Sequence, residues 1–213
     1  MDYVANLLPS LIEGLLNTLK IFIVTLVVSM PLGVVVALGR LSKIRLISII
    51  TESYIWLMRG TPLLLQIVFV FFGLPILGIS FDRFPAAIIA FVLNYAAYFG
   101  EIFRAGIQSI DKGQYEASEV LGMSSYQTFF RIILPQMIKR VLPPVANEVI
   151  TLVKDTALVY VVGLDELLKV AKTASNRDAS LAPLVVVAVF YLLLTAVFTK
   201  VFQALEKKHS YYQ

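Results

Sequence analysis

The chain contains no cysteine among its 213 residues, and only one histidine and one tryptophan. The lack of cysteine excludes a disulfide framework, a thiolate metal site and a cysteine nucleophile. The histidine, His209, lies in the polar C-terminal segment EKKHSYYQ, where we expect it to be solvated. A membrane-embedded hydrolase would need a nucleophile and a base at membrane depth, so this function class ranks last.

Charged residues are also scarce. They make up 15% of the chain and hydrophobic residues 59%, whereas a typical soluble domain has about 25% charged residues. Crossing roughly 30 Å of hydrocarbon takes about 20 mostly apolar residues. Long uncharged stretches at 21–39, 60–81, 84–100 and 179–199 therefore predict membrane helices and not the core of a soluble bundle. The acidic Met1-Asp2 start lacks the positive region of a signal peptide, so we expect the first span to be permanent.

The apolar pattern predicts an all-α membrane protein with five spans in one transmembrane domain, residues 1–213. The predicted spans are about 14–38, 47–72, 85–107, 143–162 and 183–205. The second is interrupted by Arg59, Gly60, Thr61 and Pro62. The fourth is the least apolar, because it contains Asn147, Glu148, Lys154 and Asp155.

Basic residues predict the orientation, since they concentrate on the cytoplasmic side of membrane proteins. With the N-terminus outside and the C-terminus in the cytoplasm, one side carries Arg40, Lys43, Arg45, Lys112, Arg131, Lys139, Arg140, Lys207 and Lys208. The other side balances Arg83, Lys169, Lys172 and Arg177 against Asp82, Asp165, Glu166 and Asp178. This distribution explains the net charge of +4 without a nucleic-acid partner.

The polar segment 111–137 is then cytoplasmic, and its sequence predicts a helical elbow. Asp111 can cap a first helix, which Gly122 can end in the left-handed conformation. Ser124 and Gln127 have the spacing of a capping box for a second helix. Pro135 is predicted to break or kink that second helix. A solvated loop is the alternative interpretation, and periodicity alone does not exclude it.

Polar residues inside the predicted spans form a second group of interest. At about 100° per residue, Glu148, Thr151 and Asp155 fall within roughly 60° of one another, while Asn147 and Lys154 share a different face. Asn94 and Tyr98 share a face of the third span with Glu101. Thr61 and Gln66 lie at a comparable depth, beside the break at Pro62.

A charge near the middle of a membrane helix costs roughly 2.5–3.5 kcal/mol on insertion scales, so it usually faces a pathway or a partner. One interpretation is a midplane cavity in which Glu148 and Asp155 hold the cationic side chain of a basic amino acid. The other is neutralisation within the fold, with Lys154 beside Asp155 and Glu52 paired with Arg59 seven residues on.

Three segments carry a family resemblance. Glu116-Ala117-Ser118, Gly122 and the run from Ile132 to Pro135 match the spacing Glu-Ala-Ala, three residues, Gly, nine residues, Ile-x-Leu-Pro. This resembles the cytoplasmic loop of membrane subunits of bacterial ABC importers, with Ser118 in place of the third alanine. The segments RGTPLLLQ (59–66) and NEVITLVKDTAL (147–158) are similar to the polar amino acid branch, the histidine/arginine/glutamine permeases.

The resemblance implies a type I importer-like fold whose elbow is a coupling helix, docked into a separate ATPase subunit that drives alternating access. It assigns this coupling to Glu116, Ala117, Ser118, Gly122, Leu134 and Pro135. The complex would contain two ATPase subunits, a second permease subunit (identical or similar), and an extracytoplasmic solute-binding protein, in the bacterial inner membrane.

The resemblance also implies that this chain catalyses no covalent chemistry and that ATP and Mg²⁺ bind to the ATPase. Its own near match to a phosphate-binding loop, GLPILGIS at 73–80, has Ile79 where the lysine is required. The predicted substrates are polar amino acids, in particular basic ones, with Glu148, Asp155, Asn94, Thr151, Thr61, Gln66 and Tyr98 as binding residues. An ion-coupled secondary transporter using Glu148, Asp155 and Glu101 is the alternative, but it leaves the elbow unexplained.

Overall fold

The computed structural model describes the backbone of residues 2–209 and the side chains of residues 7–208, so the side chain of His209 lies outside the described residues. All regular elements within the described backbone are helical, which confirms the predicted all-α class. The α-helices are α1 Asp2–Arg40, α2 Arg45–Gly60, α3 Leu63–Val68, α4 Arg83–Gln108, α5 Lys112–Val120, α6 Ser125–Thr128, α7 Leu134–Asp155, α8 Leu167–Asp178 and α9 Ala182–His209.

Three of these helices are long and apolar enough to cross a membrane alone: α1 over Leu7–Arg40, then α4, and α9 over Ala182–Lys208. The segment from α2 to Leu77 makes a fourth candidate, bent by 103°. Helix α7 is long enough but not apolar enough to qualify, since it contains Lys139, Arg140, Glu148, Lys154 and Asp155. The fourth predicted span, 143–162, therefore stays a prediction.

Helices α1 and α4 pack closely against each other. A Cβ added to Gly33 would lie 2.6 Å from the Cβ of Phe99, and one added to Gly100 would collide with Val36. Ala86 and Ala96 of α4 are also fully buried. Small side chains at this contact let two membrane helices approach closely, which strengthens van der Waals packing where lipid offers no hydrophobic driving force.

The chain breaks where the sequence predicts it. Helix α2 ends at Gly60, and both Thr61 and Pro62 have extended backbone before α3 begins. Pro62 has no backbone N–H to continue the helical hydrogen-bond ladder. A π-helical turn over Phe69–Gly73 and a 3-10 turn over Leu74–Leu77 follow α3.

The elbow also forms, with its predicted caps. The Asp111 carboxylate accepts from the backbone N–H of Gly113 at 2.7 Å, at the start of α5. Gly122 has a φ of +70°, the left-handed conformation that glycine adopts readily. Ser124 and Gln127 form both hydrogen bonds of a capping box. The capping residues therefore behave as local sequence rules predict.

Of the predicted break or kink at Pro135, the break is wrong. The chain stays helical from Ser125 through α7, and Pro135 lies in the first turn of α7 after a π-helical turn over Phe129–Ile133. In that turn Leu134 donates its N–H to the carbonyl of Phe129, five residues back. The wider turn accommodates the proline, so α6 continues into α7 without a gap.

A short helix between α7 and α9, α8, was not predicted. Its cap is Glu166, which is fully buried and accepts from the backbone N–H groups of Leu168 and Lys169 at 2.7 and 2.6 Å. Its carboxylate also accepts from the Tyr191 hydroxyl at 3.0 Å. Burial raises the pKa of Glu166, while these hydrogen bonds oppose the rise. Lys169 pairs with Asp165 instead, at 2.8 Å.

Candidate functional site

A cavity of about 590 Å³ opens where the α2–α3 break, α4 and the end of α7 meet. Each element brings polar groups to it for a local reason: the break exposes its own residues, and α4 and α7 present residues at helical spacing. The polar and charged residues that line it are Arg59, Thr61, Asn94, Tyr95, Tyr98, Glu148, Thr151 and Asp155. Six of the seven residues predicted to bind substrate are therefore brought together.

The acidic side of this cavity comes from α7. Glu148, Thr151 and Asp155 are half-buried and line the cavity together, as their helical spacing predicts. The Tyr95 hydroxyl donates to Asp155 at 2.8 Å. Among the described residues, no ion pair or side-chain hydrogen bond engages Glu148. Two carboxylates held in one cavity can attract a cationic group.

The second face of α7 points elsewhere. Asn147 and Lys154 are exposed and neither lines the 590 Å³ cavity. Lys154 instead lines a separate, largely apolar cavity with Leu184 and Tyr191. The hydrogen-bond partner of Asp155 is therefore a tyrosine of α4, and Lys154 acts on it only through charge.

Three polar side chains fasten the break between α2 and α3. The Gln66 amide donates to the carbonyl of Met58 at 2.9 Å and to the Thr61 hydroxyl at 2.8 Å. The Asn94 amide donates to the same carbonyl at 2.9 Å and to Gln66 Oε1 at 3.0 Å. Because these bonds satisfy backbone groups that the break leaves unpaired, they stabilise the bend. Thr61 and Asn94 also face the cavity, whereas Gln66 does not line it.

The predicted pairing of Glu52 with Arg59 is wrong. Glu52 pairs with Arg40 of α1 at 2.9 Å. Two residues seven apart are separated by about 10 Å along a helix, and α1 brings a closer guanidinium. Arg59 lies over the ring of Tyr98, with 5.2 Å between the guanidinium carbon and the ring centroid.

A second cavity of about 580 Å³ adjoins the first and shares Arg59 and Gly60 with it. It is lined by both members of the Arg40–Glu52 pair and of a second ion pair, Glu101 with Arg104 at 2.5 Å. Glu101 thus lines a different cavity from Asn94 and Tyr98.

Sequence reasoning missed two polar residues of the 590 Å³ cavity, Tyr95 and Arg59. Tyr95 follows Asn94 directly and lies one turn before Tyr98, so its position beside a polar face was the available signal. Arg59 precedes the predicted break and was assigned to an ion pair. The positions of Tyr95 and Arg59 in the cavity depend on how α2, α4 and α7 pack together. No local sequence pattern predicts that packing.

The predicted coupling residues lie on and behind the elbow. Glu116, Ala117 and Gly122 are exposed, whereas Ser118 is buried and donates its hydroxyl to the carbonyl of Gln114 at 2.7 Å. Leu134 and Pro135 lie on the helix behind, which Gln136 links to Gln114 at 3.2 Å. The neighbouring side chains of Val120 and Leu121 are 87% and 78% exposed. The elbow therefore exposes apolar side chains beside the carboxylate of Glu116.

Comparisons with known proteins agree with this architecture. Residues 29–211 match the family model of the binding-protein-dependent transport system inner membrane component. An arginine transport system permease protein of Bacillus subtilis is 40% identical over 98% of this chain and 97% of its own. A putative glutamine transport system permease protein of Rickettsia bellii is 35% identical over 97% of each chain. An L-cystine transport system permease protein of Bacillus subtilis is 37% identical, covering 94% of this chain and 86% of its own.

Solved structures place the fold in the same class. A crystal structure of an amino acid ABC transporter with histidines has a TM-score of 0.90 and 34% identity, covering 97% of each chain. An inward-facing methionine ABC transporter has a TM-score of 0.75 at 20% identity, which shows the type I importer fold alone. These matches confirm the resemblance and disfavour the ion-coupled secondary transporter. The chain belongs to the binding-protein-dependent transport family as the non-enzymatic, multi-pass inner-membrane permease subunit of an amino acid ABC transporter, with ATP hydrolysis assigned to a separate partner.

Proposed function

We propose that this permease carries basic amino acids, with arginine as the preferred substrate. The observation that carries the proposal is the pair of carboxylates, Glu148 and Asp155, on one side of the 590 Å³ cavity. A guanidinium or ammonium group entering the cavity would gain charge-assisted hydrogen bonds to them. The relatives named above include arginine, glutamine and cystine permeases, so the family alone does not fix the substrate, and the acidic pair favours arginine.

Each part of the cavity has a role in this proposal. Glu148 and Asp155 receive the cationic side chain, Thr151 offers a hydroxyl between them, and Tyr95 orients Asp155. Asn94 and Thr61 line the other side beside Tyr98. Gln66 supports the bend from behind.

The complex around this chain is also proposed, on the strength of family membership. The described chain alone leaves the cavity open, so a second permease subunit, identical or similar, would complete the pathway. Two ATPase subunits would bind ATP and Mg²⁺ and dock on the elbow 111–137. An extracytoplasmic binding protein would deliver the substrate, with the N-terminus of the permease outside and its C-terminus in the cytoplasm.

Transport by the purified complex in proteoliposomes tests the proposal. With ATP on the ATPase side, we expect uptake of L-arginine and L-lysine to exceed uptake of L-glutamine, since only the first two carry a side-chain cation. An ion gradient without ATP should drive no uptake. Because the binding protein also selects substrates, equilibrium binding to the complex without that protein measures the preference of the permease itself. Equal or stronger binding of L-glutamine would contradict the basic specificity.

A further inference from the structure

Three arginines line the two adjoining cavities, and they differ in whether they form ion pairs. Arg40 is paired with Glu52 and Arg104 is paired with Glu101. Arg59 lines both cavities, yet no carboxylate among the described residues forms an ion pair with it. Of these three arginines, Arg59 is the one without a carboxylate partner among the described residues.

Arg59 is exposed and lines the cavities at a predicted membrane depth, where a guanidinium needs water or an anion. It lies within the predicted span 47–72, in the last turn of α2 directly before the break. A guanidinium at membrane depth is unfavourable unless it faces water or an anion. Its contact with the Tyr98 ring supplies a cation–π interaction. The ring cannot accept the two parallel N–H hydrogen bonds that a guanidinium can donate to a carboxylate. The geometry therefore leaves room for an anionic ligand.

The cavity is also dipolar. Arg59 enters it from α2, while Glu148 and Asp155 enter it from α7. The charge of Arg59 acts on Glu148 without the two groups forming an ion pair. A cavity with a cation from one element and two carboxylates from another suits a molecule with an anionic group at one end and a cationic group at the other.

We propose that Arg59 is the receptor for the α-carboxylate of the transported amino acid, with its guanidinium held in place by the ring of Tyr98. This inference rests on the proposed function of the 590 Å³ cavity as the amino acid site. The planar guanidinium can bind a carboxylate through two parallel N–H bonds. It would then recognise a group common to all amino acids, whereas Glu148 and Asp155 would recognise the side chain.

Decarboxylated ligands test this role directly. Equilibrium binding of L-arginine and of agmatine, which is arginine without its carboxylate, is measured on the detergent-solubilised complex without its binding protein. Wild type should prefer L-arginine over agmatine roughly 10- to 100-fold, the range for one charge-assisted pair. In Arg59→Gln this preference should disappear, and in Arg59→Lys part of it should return. Arg45→Gln, at the other end of α2, should keep the wild-type ratio.

Two results would overturn the inference: equal binding of the two ligands by wild type, or an unchanged preference in a folded Arg59→Gln variant. The wild-type comparison remains decisive if the variant does not fold. Failure of the arginine proposal is separable, because the same ratio can be measured with L-glutamine and its decarboxylated form, 4-aminobutanamide. If wild type favours L-glutamine over L-arginine, the basic specificity fails. Loss of the preference for L-glutamine over 4-aminobutanamide in Arg59→Gln would still support the carboxylate role.

Discussion

Replacing Gly122 with arginine should separate the permease from its ATPase, while the same replacement at Gly78 should leave the complex intact. Both glycines have positive φ angles, +70° for Gly122 and +82° for Gly78. An added Cβ would meet no heavy atom within 4 Å at either position. The two substitutions therefore impose the same kind of backbone strain, of about 1–2 kcal/mol, and differ in where they stand.

The larger expected effect at Gly122 comes from the partner. Gly122 lies on the exposed tip of the elbow between Leu121 and Met123, whereas Gly78 ends the 3-10 turn after α3, on the predicted outer side. In the docking groove of the ATPase, the long charged side chain of an arginine would be buried without a group that compensates its charge. Losses of 2 kcal/mol or more are typical when a central interface residue is disrupted, which corresponds to roughly a 30-fold or greater weakening of association.

Co-purification of the ATPase with a tagged permease measures this association without any substrate. We expect recovery of the ATPase to fall sharply with Gly122→Arg and to stay near the wild-type level with Gly78→Arg. Stimulation of ATP hydrolysis by the loaded binding protein should follow the same order. If both variants retain the ATPase and its stimulation, the elbow is not the coupling element.

Neutralising the two cavity carboxylates should convert the permease from basic to neutral preference. Asp155→Asn and Glu148→Gln change charge with little change in shape, and an asparagine oxygen can still accept from Tyr95. Each charge-assisted hydrogen bond contributes about 1.5–3 kcal/mol, so L-arginine binding should weaken roughly 10- to 100-fold per substitution. L-glutamine carries no side-chain charge, so its binding should change far less.

Lys154→Gln is the matched control for these substitutions. It neutralises the residue next to Asp155, but on the exposed face that does not line the cavity. We expect near wild-type arginine binding from it. The acidic-site proposal fails if the Glu148→Gln/Asp155→Asn double variant binds and transports L-arginine as wild type does, because neither carboxylate would then contact the substrate.

Local rules in the sequence anticipated much of this molecule. The caps at Asp111 and Ser124, the turn at Gly122 and the break at Pro62 each depend on a few neighbouring residues, and all were predictable. The shared face of Glu148, Thr151 and Asp155 follows from helical periodicity alone. Helical spacing alone therefore predicts one side of the cavity.

The remaining features depend on contacts between distant segments. Glu52 pairs with Arg40 because α1 and α2 pack side by side. Arg59 therefore does not pair with Glu52 and lines the cavity instead. Pro135 left its helix unbroken because a π-helical turn absorbed it, and neither propensity nor capping rules indicate such a turn. The start of helix α8 depends on its cap, the buried Glu166. From the sequence alone, an acidic residue is expected to lie on the surface.

The central claim is that a zwitterionic basic amino acid binds between the α2–α3 break and α7. A cryo-EM structure of the complex trapped with L-arginine tests it most directly. The account predicts density in the 590 Å³ cavity, with the ligand guanidinium at hydrogen-bond distance from Glu148 or Asp155 and its carboxylate at that distance from Arg59. A complex that transports L-arginine but binds it outside this cavity, or in the reverse orientation, would contradict the account.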